Sequence, residues 1–379
     1  MPTFFIIIPV YQEYNIFRIF WDSLTRTVKY PVKICIINDA SPHNTTDFIR
    51  NLQSSDLMYI EKIEHHRSEG SIKCINEALL KASGDYIVLM DSDLILSDGW
   101  QESVIQTMAN ESIGGMGCVL IYPQTGGIQS CGLTYTETAG RHLFLNNVSA
   151  TLDKKLIYEV QATVFAFFVT RVNIVQSVGL LDTCFFNGYE DVDYQLRIRS
   201  ELNKKIVINS NLRMFHWEQS NGILRNYNRR SNIAYLWKKH GSHLKVDLWQ
   251  FLFEQLQKHI RPNNYYIGVD LCSARFDADT FWQELQISQI AQIKRIDHYY
   301  HTVREDKNIW LSQVLPYDYF RTEQPFLFLC DNFIKLLDNQ YWLNFREKYC
   351  QQDIIADLYG NVVEWKDIKH QFWPGNKIR

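Results

Sequence analysis

Paired cysteines are missing from this chain. Cys35, Cys74, Cys118, Cys131, Cys184, Cys272, Cys330 and Cys350 never fall in a CxxC spacing, which argues against a thiolate zinc site. Several sit inside apolar runs, where a thiol acts as a small hydrophobe; reduced thiols in a cytoplasmic protein are the simple expectation. Long apolar runs are missing too. Met1 to Val10 is apolar but far too short to span a bilayer, and it lacks the basic start and small-residue cleavage site of a signal peptide. The expectation is a cytoplasmic protein, at most peripheral at the inner face of a membrane. Charge of one sign is nearly balanced: 39 Lys and Arg against 42 Asp and Glu leave a net charge of -3, so nothing calls for a nucleic-acid partner. There is no internal repeat and no low-complexity linker.

What is present is ordinary globular composition, 46% hydrophobic and 21% charged, with aromatics high at 14%. That suits a large core and a surface able to stack on sugars or touch lipid headgroups. With 379 residues the chain can hold two domains. Phe4 to Val10 is a continuous apolar run, as in a strand buried on both faces, with Pro9 as its stop. Helical spacing follows over Asn15–Thr27, where Ile16, Phe17, Phe20 and Leu24 recur. Val32–Ile37 is a second strand, Thr45–Leu52 a helix, Met58–Ile63 a third strand, Gly70–Ala82 a helix with Gly84 as stop, and Tyr86–Met90 a fourth strand. This alternation is the rhythm of a parallel α/β sheet.

Ligands bind such sheets at the carboxyl ends of the strands. Three ends here carry useful groups: Tyr11, Gln12 and Glu13 after the first, Asp39 after the second, and Asp91 and Asp93 after the fourth. Aspartates weaken strands and are costly to bury unpaired. Two carboxylates one residue apart at a core strand's exit can approach one cation, and oxygen ligands suit Mg2+ or Mn2+. The plainer alternative is a pair of solvated turn aspartates capping the next helix. One acidic strand end is noise, whereas three on one edge make a site.

Beyond residue 110 the pattern loosens. Gly114–Tyr122, Ile128–Tyr135 and Val160–Thr170 read as strands. Phe185–Ser200 opens with a glycine turn, crosses Glu190, Asp191 and Asp193, and enters a helix. Lys205–Ile208 and Leu212–Phe215 read as two short strands before His216 and Trp217. Asn226–His240 is a basic-aromatic helix. Character changes near residue 245; beyond it only Tyr265–Leu271, Pro325–Leu329 and Phe333–Tyr349 suggest elements.

Taken together, Ile6-Ile7-Ile8-Pro9-Val10-Tyr11-Gln12-Glu13, Ile37-Asn38-Asp39-Ala40-Ser41, Gly70 with Asn76, Asp91-Ser92-Asp93, Glu190-Asp191 and His216 resemble family 2 glycosyltransferases. The resemblance covers roughly residues 3–240. It implies an α/β GT-A fold, a mostly parallel central sheet flanked by helices, for residues 1–244. Residues 245–379 are then a C-terminal α/β or helical accessory domain of unknown role. It also implies a nucleotide-sugar donor, a divalent cation (Mn2+ or Mg2+), inversion at the anomeric carbon and a glycan or lipid-linked glycan acceptor. The pathway expected by analogy is cell-surface polysaccharide synthesis, lipopolysaccharide or capsule.

The resemblance assigns roles residue by residue. Pro9, Val10 and Tyr11 line the nucleobase pocket, with Glu13 near the base or ribose. Asp39 accepts a hydrogen bond from the base, expected to be uracil. Asp91 faces the ribose and the metal shell, Ser92 and Lys73 belong to the donor site, Asp93 binds the metal, and His216 completes that shell as a neutral imidazole. The ion neutralises the departing diphosphate. An inverting transfer needs one carboxylate to take the acceptor proton: Asp191, with Glu190 as rival. A plainer role for both is as helix N-terminal carboxylates.

The chain departs from the family pattern twice. Asn38 stands where many relatives carry a second aspartate, and Ile75 where they carry arginine; Lys73 or Arg67 is the candidate replacement charge. Arg225, Arg229 and Arg230 are candidates to lie near the donor diphosphate or the acceptor; the plainer reading is a solvated basic helix face, which with its aromatics could also meet anionic lipid. Two other functions compete with this reading. A sugar nucleotidyltransferase needs a glycine-rich basic loop after the first strand, and Tyr11-Gln12-Glu13-Tyr14-Asn15 is acidic and glycine-free. A non-catalytic carbohydrate-binding protein is favoured by loss of Asp93 or Asp191, and both are present.

Overall fold

The computed structural model describes residues 1–136, 139–148, 152, 157–218, 222–261, 264–273, 275–295, 321–333, 346 and 348–372. They form two compact units. The first is Met1–Leu133 with Leu152–Lys245; the second is Val246–Arg379 with the excursion Thr134–Thr151.

In the first unit, β1 (Phe4–Val10) is almost wholly buried because strands flank it on both edges. It pairs in parallel with β2 (Val32–Asp39) and β4 (Tyr86–Met90); β2 pairs in parallel with β3 (Met58–His65). The register sets Val10 opposite Asn38, and Asp39 opposite His65. The carboxyl ends of β1, β2 and β4 therefore share one edge. β1 runs through Pro9 to Val10 instead of stopping there. As the outer strand, β3 alternates between half-buried and exposed positions.

Helix α1 (Tyr14–Thr27) turns Phe17, Phe20, Trp21 and Leu24 inward, the face that its helical spacing predicts. α2 (His43–Asn51) and α3 (Ser71–Leu79) complete the first crossovers. The cap position of α3 is Gly70, whose φ of +89° an L side chain adopts only with strain. After β4 come β5 (Leu94–Ile95) and α4 (Trp100–Met108), whose fully buried Trp100 meets Phe4 edge-on at 5.5 Å and donates its indole N–H to Thr27 Oγ1 at 3.2 Å. Each such fully buried large apolar side chain contributes about 1.5–3 kcal/mol.

Beyond β4 the sheet becomes mixed. β11 (Phe167–Arg171) enters antiparallel between β4 and β6 (Ile113–Ile121), a direction that no local pattern signals. β6 accepts it because a Cβ on Gly115 would meet the Phe168 ring at 2.5 Å. The expected strand over Val160–Thr170 resolves into the end of β10 (Ile157–Val160) and β11. The two short strands expected over residues 205–215 are one strand, β12 (Lys205–His216), with an irregularity between Asn209 and Arg213. β12 runs parallel to β6 and antiparallel to β10 and β5; β7 (Ile128–Ser130) pairs antiparallel with β6. α5 (Val172–Val178), α6 (Glu190–Leu202) and α7 (Gly222–His240) finish the unit.

The second unit is itself α/β. Its sheet runs β14 (Gln292–Arg295), β13 (Tyr265–Leu271), β15 (Phe326–Cys330), β16 (Ile354–Asp357), β17 (Val362–Glu364), all parallel neighbours except antiparallel β17. The excursion carries the ribbon of β8 (Leu133–Tyr135), whose first residue closes the first segment of the first unit, and β9 (Gly140–His142). α8 (Leu248–Leu256) and α9 (Arg275–Ser288) cover one face with Leu252, Leu256 and Phe281, and α10 (Trp365–Phe372) sets Trp365 and Ile368 among Phe326, Phe328 and Ile355. Buried Arg346 grips Asp353 with two bonds of 2.7 and 2.8 Å. The helical pattern expected over 333–349 falls mostly outside the described residues. No helix among the described residues is long and apolar enough to cross a membrane.

Candidate functional site

Asp91 is the first residue beyond β4, and its N–H donates to Ala166 O at 2.9 Å, just before β11. Two residues on, Asp93 precedes β5. These strands explain how distant residues meet: β5 pairs with the end of β12, setting His216 opposite Leu94. His216 Nε2 lies 3.1 Å from Asp93 Oδ1 and 3.6 Å from Asp91 Oδ2. The two aspartates do not cap α4, which starts at Trp100 after Gly99. Asp93 is buried at 7% exposure, so the picture of two solvated turn residues fails for it.

Burial pulls the His216 imidazole down, but the bonds and charges of Asp91 and Asp93 outweigh it and push it up to about 10. Two carboxylates and one imidazole with ligand atoms within 4.8 Å of one another fit a divalent ion. His216 Nδ1 is 2.6 Å from Gln129 Oε1, and Gln129 Nε2 donates to Glu218 Oε2 at 2.8 Å.

The aspartates face an open cleft of about 180 Å3, lined by Pro9, Val10, Tyr11, Gln12, Asp39, Ser71, Cys74, Asp91, Ser92 and Asp93. Seven residues expected in the site thus share one wall. Tyr11 is 58% exposed and lines the cleft. Glu13 is exposed, and its N–H bonds Gln12 Oε1 at 2.8 Å. Glu13, Lys73, Glu190 and Asp191 are not among the cleft's described lining residues.

Asp39 is heavily engaged. Its Oδ1 accepts from Glu69 N–H at 2.8 Å and from His65 Nδ1 at 2.7 Å. Its Oδ2 accepts from Ser68 Oγ at 2.7 Å and Gly70 N–H at 2.9 Å. Burial alone raises this carboxyl, but the bonds from Glu69, His65, Ser68 and Gly70 hold it below its ordinary value. His65 also reaches Glu77 Oε2 at 2.8 Å through Nε2. Burial lowers that imidazole, and Asp39 and Glu77 raise it further than burial lowers it. Asp39, His65 and Cys74 also lie within ligand distance of one another. These groups already engage one another and the backbone: Asp39 accepts four hydrogen bonds, and His65 meets a carboxylate at each ring nitrogen.

The two departures from the family pattern have structural explanations. Asn38 donates to Thr46 Oγ1 at 2.9 Å and accepts from Ser41 N–H at 3.0 Å, and an aspartate would lose the donor. Ile75 is buried in the core. Lys73 and Arg67 both pair with Glu69, each at 3.1 Å.

Glu190 and Asp191 open α6 after a loop in which Asn187, Gly188 and Tyr189 all have positive φ. Glu190 Oε2 accepts from Gly188 N–H at 2.7 Å, and Asp191 Oδ1 from Val192 N–H at 2.9 Å. Gln195 exchanges bonds with the Thr163 backbone, tying α6 to the segment that leads into Ala166. Asp193 points away into a buried cluster with Arg197 (3.0 Å), Lys239 (2.6 Å) and His240 (2.8 Å). Arg229 and Arg230 are exposed on α7; the Arg225 side chain lies outside the described residues. Sequence reasoning missed Ser71, Cys74, Gln129 and Glu218, which belong to no motif, and it noted Gln12 without placing it in the site.

Residues 5–168 match the family described as glycosyl transferase family 2. No curated protein matches the chain in sequence. Among solved structures the chain is similar to mannosyltransferase PcManGT from Pyrobaculum calidifontis, in complex with GDP-Man and Mn2+, at 14% identity over 69% of this chain and 65% of that one, TM-score 0.45. GalNAc-T7 with UDP, GalNAc and Mn2+ matches at 14% identity over 69% and 52%, TM-score 0.46. S. aureus TarS 1-349 matches at 14% over 57% and 60%, TM-score 0.41. The chain covers less than two thirds of each of these three.

Proposed function

We propose that the N-terminal unit, which through residues 5–168 belongs to glycosyl transferase family 2 and has its GT-A fold, moves a sugar from a nucleotide-diphosphate donor to a hydroxyl of a glycan acceptor. One observation carries the reading: Asp91, Asp93 and His216 converge beside a cleft built from the ends of β1, β2 and β4. The donor base rests against Pro9 and Val10, with Tyr11 at the mouth. A base N–H reaches Asp39 most cheaply by displacing the Ser68 hydroxyl, the one partner there that can simply rotate away.

Asp91, Asp93 and His216 hold the ion, and the imidazole favours Mn2+ over the strictly oxygen-seeking Mg2+. When bound, the ion supplies positive charge against the donor diphosphate. The acceptor oxygen attacks the anomeric carbon as the bond from that carbon to the diphosphate breaks. Asp191 takes the acceptor proton, and a single displacement inverts the centre. Glu190, held by the Gly188 N–H, shapes the loop beside it. Family analogy, not geometry, supplies the acceptor class, a cell-surface glycan such as lipopolysaccharide or capsule, and the uracil donor.

The test is thermal shift of the full chain against a panel of nucleotides and nucleotide sugars, with and without Mn2+. Stabilisation by one nucleotide that requires Mn2+ is expected. No shift with any of them would overturn the donor site.

A further inference from the structure

His216 can ligate only if the proton of its neutral ring sits on Nδ1, leaving the Nε2 lone pair for the ion. Something must therefore accept a hydrogen bond at Nδ1, and Gln129 Oε1 does so at 2.6 Å. A glutamine amide could equally turn its NH2 to the ring, which would demand the opposite tautomer. Glu218 settles the choice, because its carboxylate only accepts, and it takes the Gln129 Nε2–H at 2.8 Å.

The backbone supports this arrangement at both ends. β7 pairs Ile128 with Ile121 and Ser130 with Leu120, so Gln129 is the extra residue of a bulge. Bulges re-aim side chains, and they recur beside active sites. Gln129 is 5% exposed, so no solvent competes for its amide. Glu218 sits two residues beyond His216 with a φ of +45°, a strained setting for a glutamate.

We infer that Gln129 and Glu218 are positioning residues that lock His216 in the tautomer able to bind the ion through Nε2. The inference rests on the metal reading of the Asp91, Asp93 and His216 cluster. Partners behind a ligating histidine are typically worth about 10- to 100-fold in metal affinity.

The experiment titrates Mn2+ into the full chain by calorimetry, with the echo-detected EPR of bound Mn2+ reporting nitrogen coupling from His216. Gln129→Leu removes the acceptor and is expected to weaken Mn2+ binding about 10- to 100-fold and to alter the nitrogen coupling. The exchange pair Gln129→Glu with Glu218→Gln keeps every polar group, conserves net charge and again presents only an acceptor to Nδ1. It is expected to restore binding to near wild type, and it carries the test if the leucine variant fails to fold. Wild-type binding with an unweakened leucine variant, or an exchange pair that binds no better than it, overturns the inference alone. A wild-type chain that binds no Mn2+ overturns the metal reading and the inference with it.

Discussion

Mn2+ binding should be strongly proton-linked, with the size set by His216. In the metal-free protein the two aspartates push the imidazole up to about 10. At pH 7 only about one molecule in a thousand then offers an unprotonated ring, since each pH unit below that value costs tenfold. The ion must displace that proton, which lowers apparent affinity at pH 7 by about 4 kcal/mol. Between pH 6.5 and 8.5 the dissociation constant should fall about tenfold per unit, about 100-fold in all. Calorimetry in buffers of different ionisation enthalpy should count about one proton released per Mn2+. His216→Gln should bind weakly and without this slope. A wild-type constant flat across the range, with no proton released, would refute His216 as ligand.

Asp191→Asn should lower turnover by about 10^2- to 10^4-fold while leaving nucleotide affinity in place; unchanged turnover moves the base assignment to Glu190. Asp193→Asn leaves Arg197, Lys239 and His240 facing a neutral amide in a buried site. Denaturant unfolding should show a loss of about 3–5 kcal/mol, and a loss below about 1 kcal/mol would refute the anchoring role. The Asp39–His65 bridge predicts a stability window. His65 is raised, so its contribution is complete below about pH 6.5 and fades as pH rises through its folded value; Asp39 is lowered, so its contribution is complete above about pH 4 and fades as pH falls through its folded value. The melting temperature of His65→Gln should differ most from wild type between those limits, and a difference constant with pH refutes the charged bridge.

Legibility follows burial. β1, β2 and β4 lie deep in a parallel core, so almost every residue in them had to be apolar, and the acids at their ends stood out. β5 could not be read, because two residues hold no pattern, yet its pairing with β12 delivers His216. The antiparallel entry of β11 was equally hidden: an apolar run does not record its direction. Pro9 misled as a stop because the ladder of β1 with β4 already ends at Ile7 and Leu89, so a missing N–H on that side two residues later is spared. Gln129 had no chance of notice, since its role depends on a bulge and on a carboxylate far along the chain.

The two departures from the family pattern carry a consequence for the chemistry. Relatives that carry arginine at the position of Ile75 have a fixed cation there. Here that side chain is in the core, and the nearby Lys73 and Arg67 both pair with Glu69, whose one carboxylate offsets one of the two charges, and neither lines the cleft. The cleft wall itself brings Asp39, Asp91 and Asp93 and no lysine or arginine among its described residues. A diphosphate entering such a cleft meets like charge, which a low-dielectric wall makes more costly than water would. On the proposed reading, the wall would favour a donor only with a cation held by Asp91, Asp93 and His216. On this reading the charge missing from α3 would come from the Asp91, Asp93 and His216 cluster, and nucleotide binding should require the cation.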